Sequence, residues 1–269
     1  MKYCRFHFEN SNYYGAVEER GGELWIVDLM AAPEEDLAFR LEHGRATSWS
    51  FDFEPMPLSK ADLLPPTTPS KIICVGRNYR DHAKEMGNDV PTEPLIFFKP
   101  PSSLLKPGGT VRMPAASARV DYEGELAVVI GRRATRLKPE EWRSAVRGYT
   151  LANDVTARDL QQKDAQWTRA KGFDTFCPLG PVVSDEVDPE AGLTIETRVN
   201  GEVRQRGSTR DFIFGIPELL AYITSAITLE PGDLLLTGTP AGVGALKAGD
   251  RVEVSMAGLG VLSNSFAAE

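Results

Sequence analysis

Three acidic residues in the middle of the chain have the types and spacing of a metal site. Glu123 and Glu125 stand two residues apart beside the apolar run Leu126 to Ile130, and Asp154 follows a second short apolar run. Side chains alternate faces along a strand, so both glutamates point the same way and repel each other unless a cation lies between them. Oxygen ligands without a nearby His or Cys suit a hard cation such as Mg²⁺ or Mn²⁺, with positions left open for water and substrate.

The same glutamates also have an ordinary explanation. Two glutamates at alternate positions are typical of the solvated face of an edge strand, and a motif this short often matches by chance. The pattern by itself therefore leaves both interpretations open.

A histidine and a glutamate farther upstream could supply a base. His82 and Glu85 lie three residues apart in a segment, residues 77–87, that is predicted to be helical and to end at Gly87, so they share one face. A carboxylate that fixes the tautomer of a histidine and stabilises its imidazolium makes a competent general base. A surface ion pair of the kind common on helices is the alternative.

Polar residues downstream could contact a ligand. Arg158 and Gln161 lie three residues apart, one turn beyond Asp154, and Lys171 precedes a glycine that would allow close approach of a ligand. An ordinary polar helix face and a solvated lysine explain these residues equally well. The Gly-rich loop 237–244 lacks the Gly-Lys-Ser/Thr ending of a nucleotide P-loop, so it is an active-site rim or a plain loop.

The elements around these residues are predicted to be short strands with a few short helices. The predicted strands are residues 3–8, 14–19, 23–28, 72–76, 94–100 and 126–130. The predicted helices lie near Pro33 to His43, over Pro139 to Arg147, from a capping box at Thr156 towards Ala170, and over Ile216 to Ile227. A Pro-rich extended connector over residues 55–71 divides a small β-rich domain, residues 1–69, from a larger domain, residues 70–269.

Composition and charge exclude several classes of protein. The chain has 269 residues, 42% hydrophobic, and a net charge of −8, which argues against nucleic acid or an anionic membrane as its main partner. No apolar run approaches the ~20 residues of a membrane span. The three cysteines, Cys4, Cys74 and Cys177, form no Cys-x-x-Cys pair, and the N-terminus lacks the apolar core of a signal peptide. The expected location is therefore a reducing cytoplasm.

Taken in chain order, these motifs resemble those of the fumarylacetoacetate hydrolase family. The resemblance is carried by Gly76-Arg-Asn-Tyr-Arg-Asp-His82-Ala-Lys-Glu85, Phe98-Lys-Pro-Pro-Ser-Ser103, Glu123-x-Glu125, Asn153-Asp-Val-Thr-Ala-Arg-Asp-Leu-Gln161, the Lys171 loop and Leu236-Thr-Gly-Thr-Pro-Ala-Gly-Val-Gly244. It runs through residues 71–269, and residues 1–69 resemble the small variable domain of the longer bacterial members.

The resemblance implies an α+β fold, in which a mixed, twisted β-roll or sandwich carries short helices, and a homodimer. It implies that Glu123, Glu125 and Asp154 hold Mg²⁺ or Mn²⁺, and that His82 and Glu85 activate water and order a lid. The further residues that it assigns are Lys171 to catalysis and Arg77, Tyr79, Lys99, Arg158, Gln161 and Thr239 to the substrate.

One position departs from the animal enzymes of this family. They add an aspartate ligand seven residues before the lid histidine, and here that position is Val75. The resemblance therefore implies the three-carboxylate bacterial type of site, more open to water. This difference argues against fumarylacetoacetate itself as the substrate.

We predict a hydrolase that cleaves the C–C bond of 2,4-dioxo acids, such as acylpyruvates or fumarylpyruvate-like compounds. A 2-oxo acid offers two oxygens to a metal that stabilises the departing enolate, while the His82–Glu85 dyad directs water at the more distant carbonyl. Decarboxylation of oxaloacetate, and isomerisation or hydration of an unsaturated 2-oxo dioic acid, are the alternatives. A non-catalytic metal-binding protein is disfavoured, because a structural metal site has no use for a base.

Overall fold

The computed structural model describes residues 1–32, 53–87 and 89–269. Within these ranges the chain is rich in strands and has a few short helices, as the α+β prediction required. The helix predicted near Pro33 to His43 lies outside the described residues. None of the described helices is long and apolar enough to cross a membrane.

The element boundaries are as follows. Strands β1 to β5 are Lys2–Phe8, Ser11–Arg20, Glu23–Met30, Met56–Pro57 and Asp62–Leu64. Strands β6 to β13 are Ile72–Gly76, Leu95–Lys99, Leu104–Leu105, Thr110–Met113, Val120–Tyr122, Gly124–Ile130, Val146–Asn153 and Thr156–Ala157. Strands β14 to β20 are Cys177–Ser184, Thr194–Val199, Glu202–Ser208, Leu234–Leu236, Gly244–Ala245, Arg251–Met256 and Gly260–Ala268. The α-helices are α1 (Arg80–Glu85), α2 (Arg158–Lys163), α3 (Thr168–Gly172) and α4 (Ile216–Ala226).

A large mixed sheet forms the centre of the described structure. Its strand order is β4-β3-β2-β1-β14-β12-β11-β17-β6-β7, with β5 paired to β1 and β8 paired to β14. Every residue of β11 and β14 is buried. Strands covered on both faces have continuous apolar sequences rather than alternating ones, which explains the run Leu126 to Ile130.

A five-stranded sheet, in the order β16-β15-β19-β20-β9, covers one side of this centre. The main apolar core joins Leu126 and Val128 of β11 to Val254 of β19 and Leu220 of α4. Helix α4 buries one face, as its amphipathic pattern predicts. This core fixes the strands whose ends carry the acidic residues.

The N-terminal strands extend the large sheet. Strand β1 pairs antiparallel with β14, with Lys2 opposite Ser184. The three strands predicted in this region are confirmed, and the Pro-rich segment is only partly an extended connector, because β5 pairs with β1. The division into two domains at residue 69 stays a prediction.

Two helix predictions are wrong in extent. Residues Pro139–Ala145 form a 3₁₀ turn and strand β12 begins at Val146. The helix expected from Thr156 towards Ala170 is broken into α2 and α3. No capping box forms at Thr156, which lies in β13 opposite Asp121 and donates from its hydroxyl to the backbone oxygen of Asp154, at 2.8 Å. In both places, tertiary contacts override the local helix signal.

Candidate metal centre and active site

A cavity of about 260 Å³ lies where the ends of β11 and β12 meet α1, α2 and α3. The residues predicted from the sequence that line it are Arg77, His82, Glu123, Glu125, Asp154, Arg158, Gln161, Lys171 and Thr239. The rest of its wall consists of Val75, Gly76, Met86, Phe97, Gln162 and Trp167. The structure thus brings most of the predicted site residues to one cavity.

The pairing of β11 with β12 brings the three carboxylates together. Gly124 lies opposite Asn153 in this antiparallel ladder, so Glu123 and Asp154 flank the same pair. Two further hydrogen bonds hold Glu123 against Asp154. The Asp154 amide donates to the Glu123 backbone oxygen at 2.8 Å, and the Glu123 amide donates to Asn153 Oδ1 at 2.9 Å. One oxygen from each of Glu123, Glu125 and Asp154 lies within 4.8 Å of the others, and all three residues are buried.

Buried cations pair with two of the three carboxylates. Lys171 Nζ donates to Glu123 Oε2 at 2.8 Å and to Asp154 Oδ2 at 2.6 Å. The Arg158 guanidinium donates to the other oxygen of Glu123. Although burial alone would raise the pKa of Glu123, Lys171 and Arg158 hold it well below its ordinary value. Glu123 is therefore ionised.

Glu125 lies in a different electrostatic environment from Glu123 and Asp154. Among the described residues no lysine or arginine forms an ion pair with it, and its carboxylate accepts a hydrogen bond from the Gly238 amide at 2.7 Å. Burial, and then the negative charges of Asp154 and Glu123, raise the pKa of Glu125 well above its ordinary value. A divalent cation among these oxygens would remove the repulsion, and an all-carboxylate donor set suits a hard ion. The residues present therefore fit a divalent metal.

As the pH is lowered, Mg²⁺ affinity should begin to fall at a higher pH than it would if Glu125 had the ordinary pKa of a glutamate. Protons and the metal compete for the Glu125 carboxylate, and its raised pKa favours the proton earlier as pH falls. Calorimetric titration with Mg²⁺ at stepped pH values should show the dissociation constant beginning to rise at a pH above the usual pKa of glutamate. A constant affinity down to the usual pKa of glutamate, about 4.3, would contradict this prediction.

The predicted dyad forms at the end of helix α1. His82 is buried in the cavity wall, and its Nδ1 lies 3.4 Å from Glu85 Oε2. Glu85 is partly exposed and lies outside the cavity lining, where both its oxygens accept from the Gly242 amide at 3.1 Å. The dyad carboxylate thus also attaches the helix to the Gly-rich loop.

The Gly-rich loop is built around two glycines that no other residue could replace without strain. Gly238 and Gly242 have φ values of +96° and +102°, in the left-handed region. A Cβ at Gly242 would lie 2.1 Å from the Arg204 backbone oxygen, and one at Gly238 would lie 2.8 Å from the Asn78 Cβ. The Tyr122 hydroxyl donates to the Gly242 oxygen at 2.7 Å, which fixes the loop from the other side.

Thr239 and Arg158 use part of their hydrogen-bonding capacity within the protein. The Thr239 hydroxyl donates to the Gly124 backbone oxygen at 2.9 Å and accepts from Gln205 Nε2 at 2.7 Å. Its single proton is thus used, so it can offer a ligand only an acceptor. Arg158 donates to Gln161 Oε1 at 2.7 Å as well as to Glu123, which fixes both side chains at the cavity wall.

Lys99 and Tyr79 do not reach the cavity wall. Lys99 is fully buried behind Asp154, with Nζ 2.7 Å from Asp154 Oδ1 and 3.2 Å from the Val155 oxygen. Tyr79 packs edge-on against Phe212, with ring centroids 5.1 Å apart. The geometry therefore favours a role in supporting Asp154 for Lys99 and a packing role for Tyr79, and substrate contact by either remains unsupported.

Sequence reasoning missed three residues that support the site. Asp121 is fully buried and accepts from Arg158 Nε at 2.9 Å, and Gln205 donates to Thr239 from the second sheet. Asn78 lies within the motif Gly76 to Glu85, in which His82 and Glu85 have the residue types and spacing of a base and its partner. Gln205 occupies the polar run Glu202 to Arg206, so only the sheet pairing distinguishes it from its exposed neighbours.

Comparison with known proteins agrees with this geometry. Residues 71–267 match the model of the fumarylacetoacetate hydrolase C-terminal domain. This chain belongs to the fumarylacetoacetate hydrolase family. The prediction made from the motif order is confirmed, and the buried Glu-Glu-Asp cluster of this family member fits a divalent-metal site.

Two similar proteins are named as oxaloacetate tautomerases, and one similar solved structure is named as an isomerase. Oxaloacetate tautomerase YisK of Bacillus subtilis is 47% identical over 224 residues, which cover 78% of this chain and 74% of that protein. The human mitochondrial oxaloacetate tautomerase FAHD2A is 43% identical over 83% of this chain and 77% of its own. The structure of 5-carboxymethyl-2-hydroxymuconate delta-isomerase from Mycobacterium smegmatis is 37% identical and superposes with a TM-score of 0.86 over 100% of both chains.

Proposed function

We propose that this enzyme holds Mg²⁺ or Mn²⁺ on Glu123, Glu125 and Asp154 and converts 2-oxo acids by way of their enolates. The observation that carries the proposal is a single cavity in which three buried carboxylates face a histidine that is paired with a glutamate. When bound, the divalent ion would supply a Lewis acid that polarises the 2-oxo carbonyl.

The charges around the cavity favour an anionic substrate. Lys171, Lys99 and Arg158 bind directly to the carboxylates of Asp154, Glu123 and Asp121, and Arg119 pairs with Asp121 from the surface. Four cations thus match the four buried carboxylates Asp121, Glu123, Glu125 and Asp154. A divalent ion then gives the site an excess of positive charge. A substrate with one or two carboxylates would neutralise it, which fits a 2-oxo acid better than a neutral ketone.

The first candidate reaction is hydrolysis of the C–C bond of a 2,4-dioxo acid. His82, with Glu85 stabilising its imidazolium, takes a proton from water, and the resulting hydroxide adds to the distal carbonyl. The bond between that carbon and C3 then breaks, and its electron pair passes into the 2-oxo acid fragment as an enolate. Protonation of this enolate gives a pyruvate, and the distal fragment leaves as a carboxylate.

The second candidate reaction is keto–enol interconversion of oxaloacetate. The names of two relatives that cover most of this chain favour it. The reaction needs only removal of a proton from C3 and its return to oxygen, so His82 could serve without an activated water. Decarboxylation of oxaloacetate and isomerisation of unsaturated 2-oxo dioic acids would use the same enolate, and the related delta-isomerase structure supports the latter.

Steady-state assays on one preparation distinguish these reactions. The Mg²⁺-loaded enzyme is offered acetylpyruvate, fumarylpyruvate, and the keto and enol forms of oxaloacetate, and each reaction is followed by ultraviolet absorbance and product analysis. Hydrolysis of either acylpyruvate at about 1 s⁻¹ or more, within the usual range for enzymes, is the expected result. Interconversion of the keto and enol forms of oxaloacetate without hydrolysis of an acylpyruvate would establish the second candidate. No turnover of any of these compounds with Mg²⁺ or with Mn²⁺ would refute the proposed function.

The expected homodimer and the cytoplasmic location are part of the same proposal. The family resemblance supports the dimer, and three unpaired buried cysteines are in keeping with a reducing compartment. Light scattering of the purified enzyme would give its mass in solution, and a mass equal to one chain would contradict the dimer.

A further inference from the structure

Asn78 is completely buried between the helix that carries His82 and the loop that supports Glu125. Its Nδ2 donates to the Thr237 backbone oxygen at 2.8 Å and to the Phe214 backbone oxygen at 3.1 Å. Its Oδ1 accepts from the Phe214 amide at 2.8 Å. The side chain thus connects three separate segments, and each of its polar atoms has a partner.

On one side, Asn78 acts on a peptide group that binds Glu125. The Thr237 oxygen and the Gly238 amide belong to one planar peptide, so they point in opposite directions. The oxygen accepts from Asn78 while the amide donates to Glu125 Oε2 at 2.7 Å. Fixing the carbonyl end of this peptide therefore fixes the direction from which the amide holds Glu125.

On the other side, Asn78 holds the start of helix α1. It precedes Tyr79, the N-cap of this helix, and follows Arg77, whose φ of +57° lies in the left-handed region that residues other than glycine rarely adopt. The Asn78 backbone oxygen accepts from the Ile213 amide at 2.8 Å. These contacts keep Arg77 in its strained conformation and so set the direction in which the helix, with His82, leaves the sheet.

We propose that Asn78 is a positioning residue that couples the order of helix α1 to the placement of the metal ligand Glu125. It contacts neither the cavity nor the three carboxylates and acts through the Thr237–Gly238 peptide. The inference rests on the proposed function only in assigning Glu125 to the metal. Coupling of this kind is reciprocal, so metal binding should order the helix, and disorder of the helix should weaken metal binding.

The variant Asn78→Ala in the full-length protein tests the coupling, with Asn264→Ala as a matched control. Asn264 is also buried, and its Nδ2 donates to two backbone oxygens, those of Lys106 and Gly109, at 3.0 Å each. It does not line the cavity. Both variants leave two backbone oxygens without a side-chain donor, so a general loss of stability would affect both.

Calorimetric titration with Mg²⁺ gives the first measurement. Groups that orient metal ligands typically change metal affinity by about 10–100-fold when removed, and we expect a loss in this range for Asn78→Ala and an unchanged affinity for Asn264→Ala. Circular dichroism selects a temperature at which both variants are folded. If Asn78→Ala does not fold, Asn78→Ser, which keeps one shorter donor, takes its place.

Hydrogen exchange of the helix amides gives the second measurement, with and without Mg²⁺. The amides of Ala83, Met86 and Gly87 bond to the oxygens of Tyr79, His82 and Lys84 and report the order of α1. In the wild type and in Asn264→Ala, Mg²⁺ should slow their exchange. In Asn78→Ala they should exchange faster without metal and gain little protection from it.

The two measurements separate this inference from the proposed function. If the wild type binds neither Mg²⁺ nor Mn²⁺, the metal assignment fails. Faster hydrogen exchange of helix α1 in metal-free Asn78→Ala than in metal-free Asn264→Ala would then still support the role of Asn78 in ordering the helix. Equal Mg²⁺ affinity and equal helix exchange in the two variants would overturn the proposal.

Discussion

Replacing Glu125 by glutamine should abolish metal-dependent turnover and weaken Mg²⁺ binding by more than about 100-fold. This loss exceeds the about 10–100-fold that typically follows removal of a group that only orients a metal ligand. Glutamine keeps the size of the side chain and can still accept from the Gly238 amide. It removes the one carboxylate of the cluster that no described lysine or arginine pairs with. Calorimetry with Mg²⁺ and a turnover assay after treatment with EDTA and return of the metal would measure both effects.

The metal-free stability of this variant distinguishes lost ligation from misfolding. Burial and the neighbouring charges of Asp154 and Glu123 oppose ionisation of Glu125, so glutamine should leave the melting temperature of the metal-free protein unchanged or higher. Glu253→Gln is a suitable control, since Glu253 lies on β19 and pairs with Arg251 outside the cavity. Unchanged Mg²⁺ affinity in Glu125→Gln would refute the ligand assignment.

Replacing His82 by alanine should lower hydrolytic kcat by about 10²–10⁴-fold, the usual contribution of a positioned general base, or roughly 3–5 kcal/mol of barrier. Three carboxylates suffice for a cation that keeps several waters, so Mg²⁺ affinity and binding of a pyruvate-like inhibitor should change little. Because His82 Nδ1 faces Glu85, the other ring nitrogen is left for the reacting proton. Steady-state kinetics with separate determination of kcat and KM would test this.

Two substitutions of Glu85 distinguish its contact with His82 from its contact with the Gly242 amide. Glu85→Ala loses both the histidine and the Gly242 amide, whereas Glu85→Gln can still accept from that amide. The double variant Glu85→Ala/His82→Ala should have a hydrolytic kcat only slightly below that of His82→Ala alone, because the two residues act as a unit. Decarboxylation of oxaloacetate needs no water nucleophile and should suffer less. Hydrolysis by His82→Ala at the wild-type rate would leave the dyad with no role beyond attaching helix α1 to the loop.

Much of the cluster follows from local rules that the sequence displays. The two-residue spacing at the start of β11 places Glu125 on the same side as Glu123, which directly precedes the strand, and the i, i+3 spacing on α1 places His82 beside Glu85. Both depend on residues that are close together in the chain. The burial of a like-charged pair beside an apolar run is then enough to suggest a cation.

The support of the cluster depends on contacts that sequence spacing does not encode. Lys99 reaches Asp154 from β7, 55 positions earlier in the chain, and Gln205 reaches Thr239 from another sheet. The pairing of β1 with β14 joins residues at least 180 positions apart. Helix α2 begins only at Arg158 because Thr156 belongs to β13, where it lies opposite Asp121. Each of these follows from the packing of distant elements.

The two glycines of the loop bear on how the substrate range of such an enzyme could change by mutation. Any side chain at Gly238 or Gly242 would strain the backbone and press on Asn78 or Arg204. These two positions, on either side of the cavity residue Thr239 in the loop, should therefore accept almost no substitution in a laboratory-evolution library. Met86, Gln162 and Trp167 also line the cavity, and none of them is among the predicted metal ligands or catalytic residues. Variants with altered substrate preference should therefore accumulate at these three positions, while both glycines are retained.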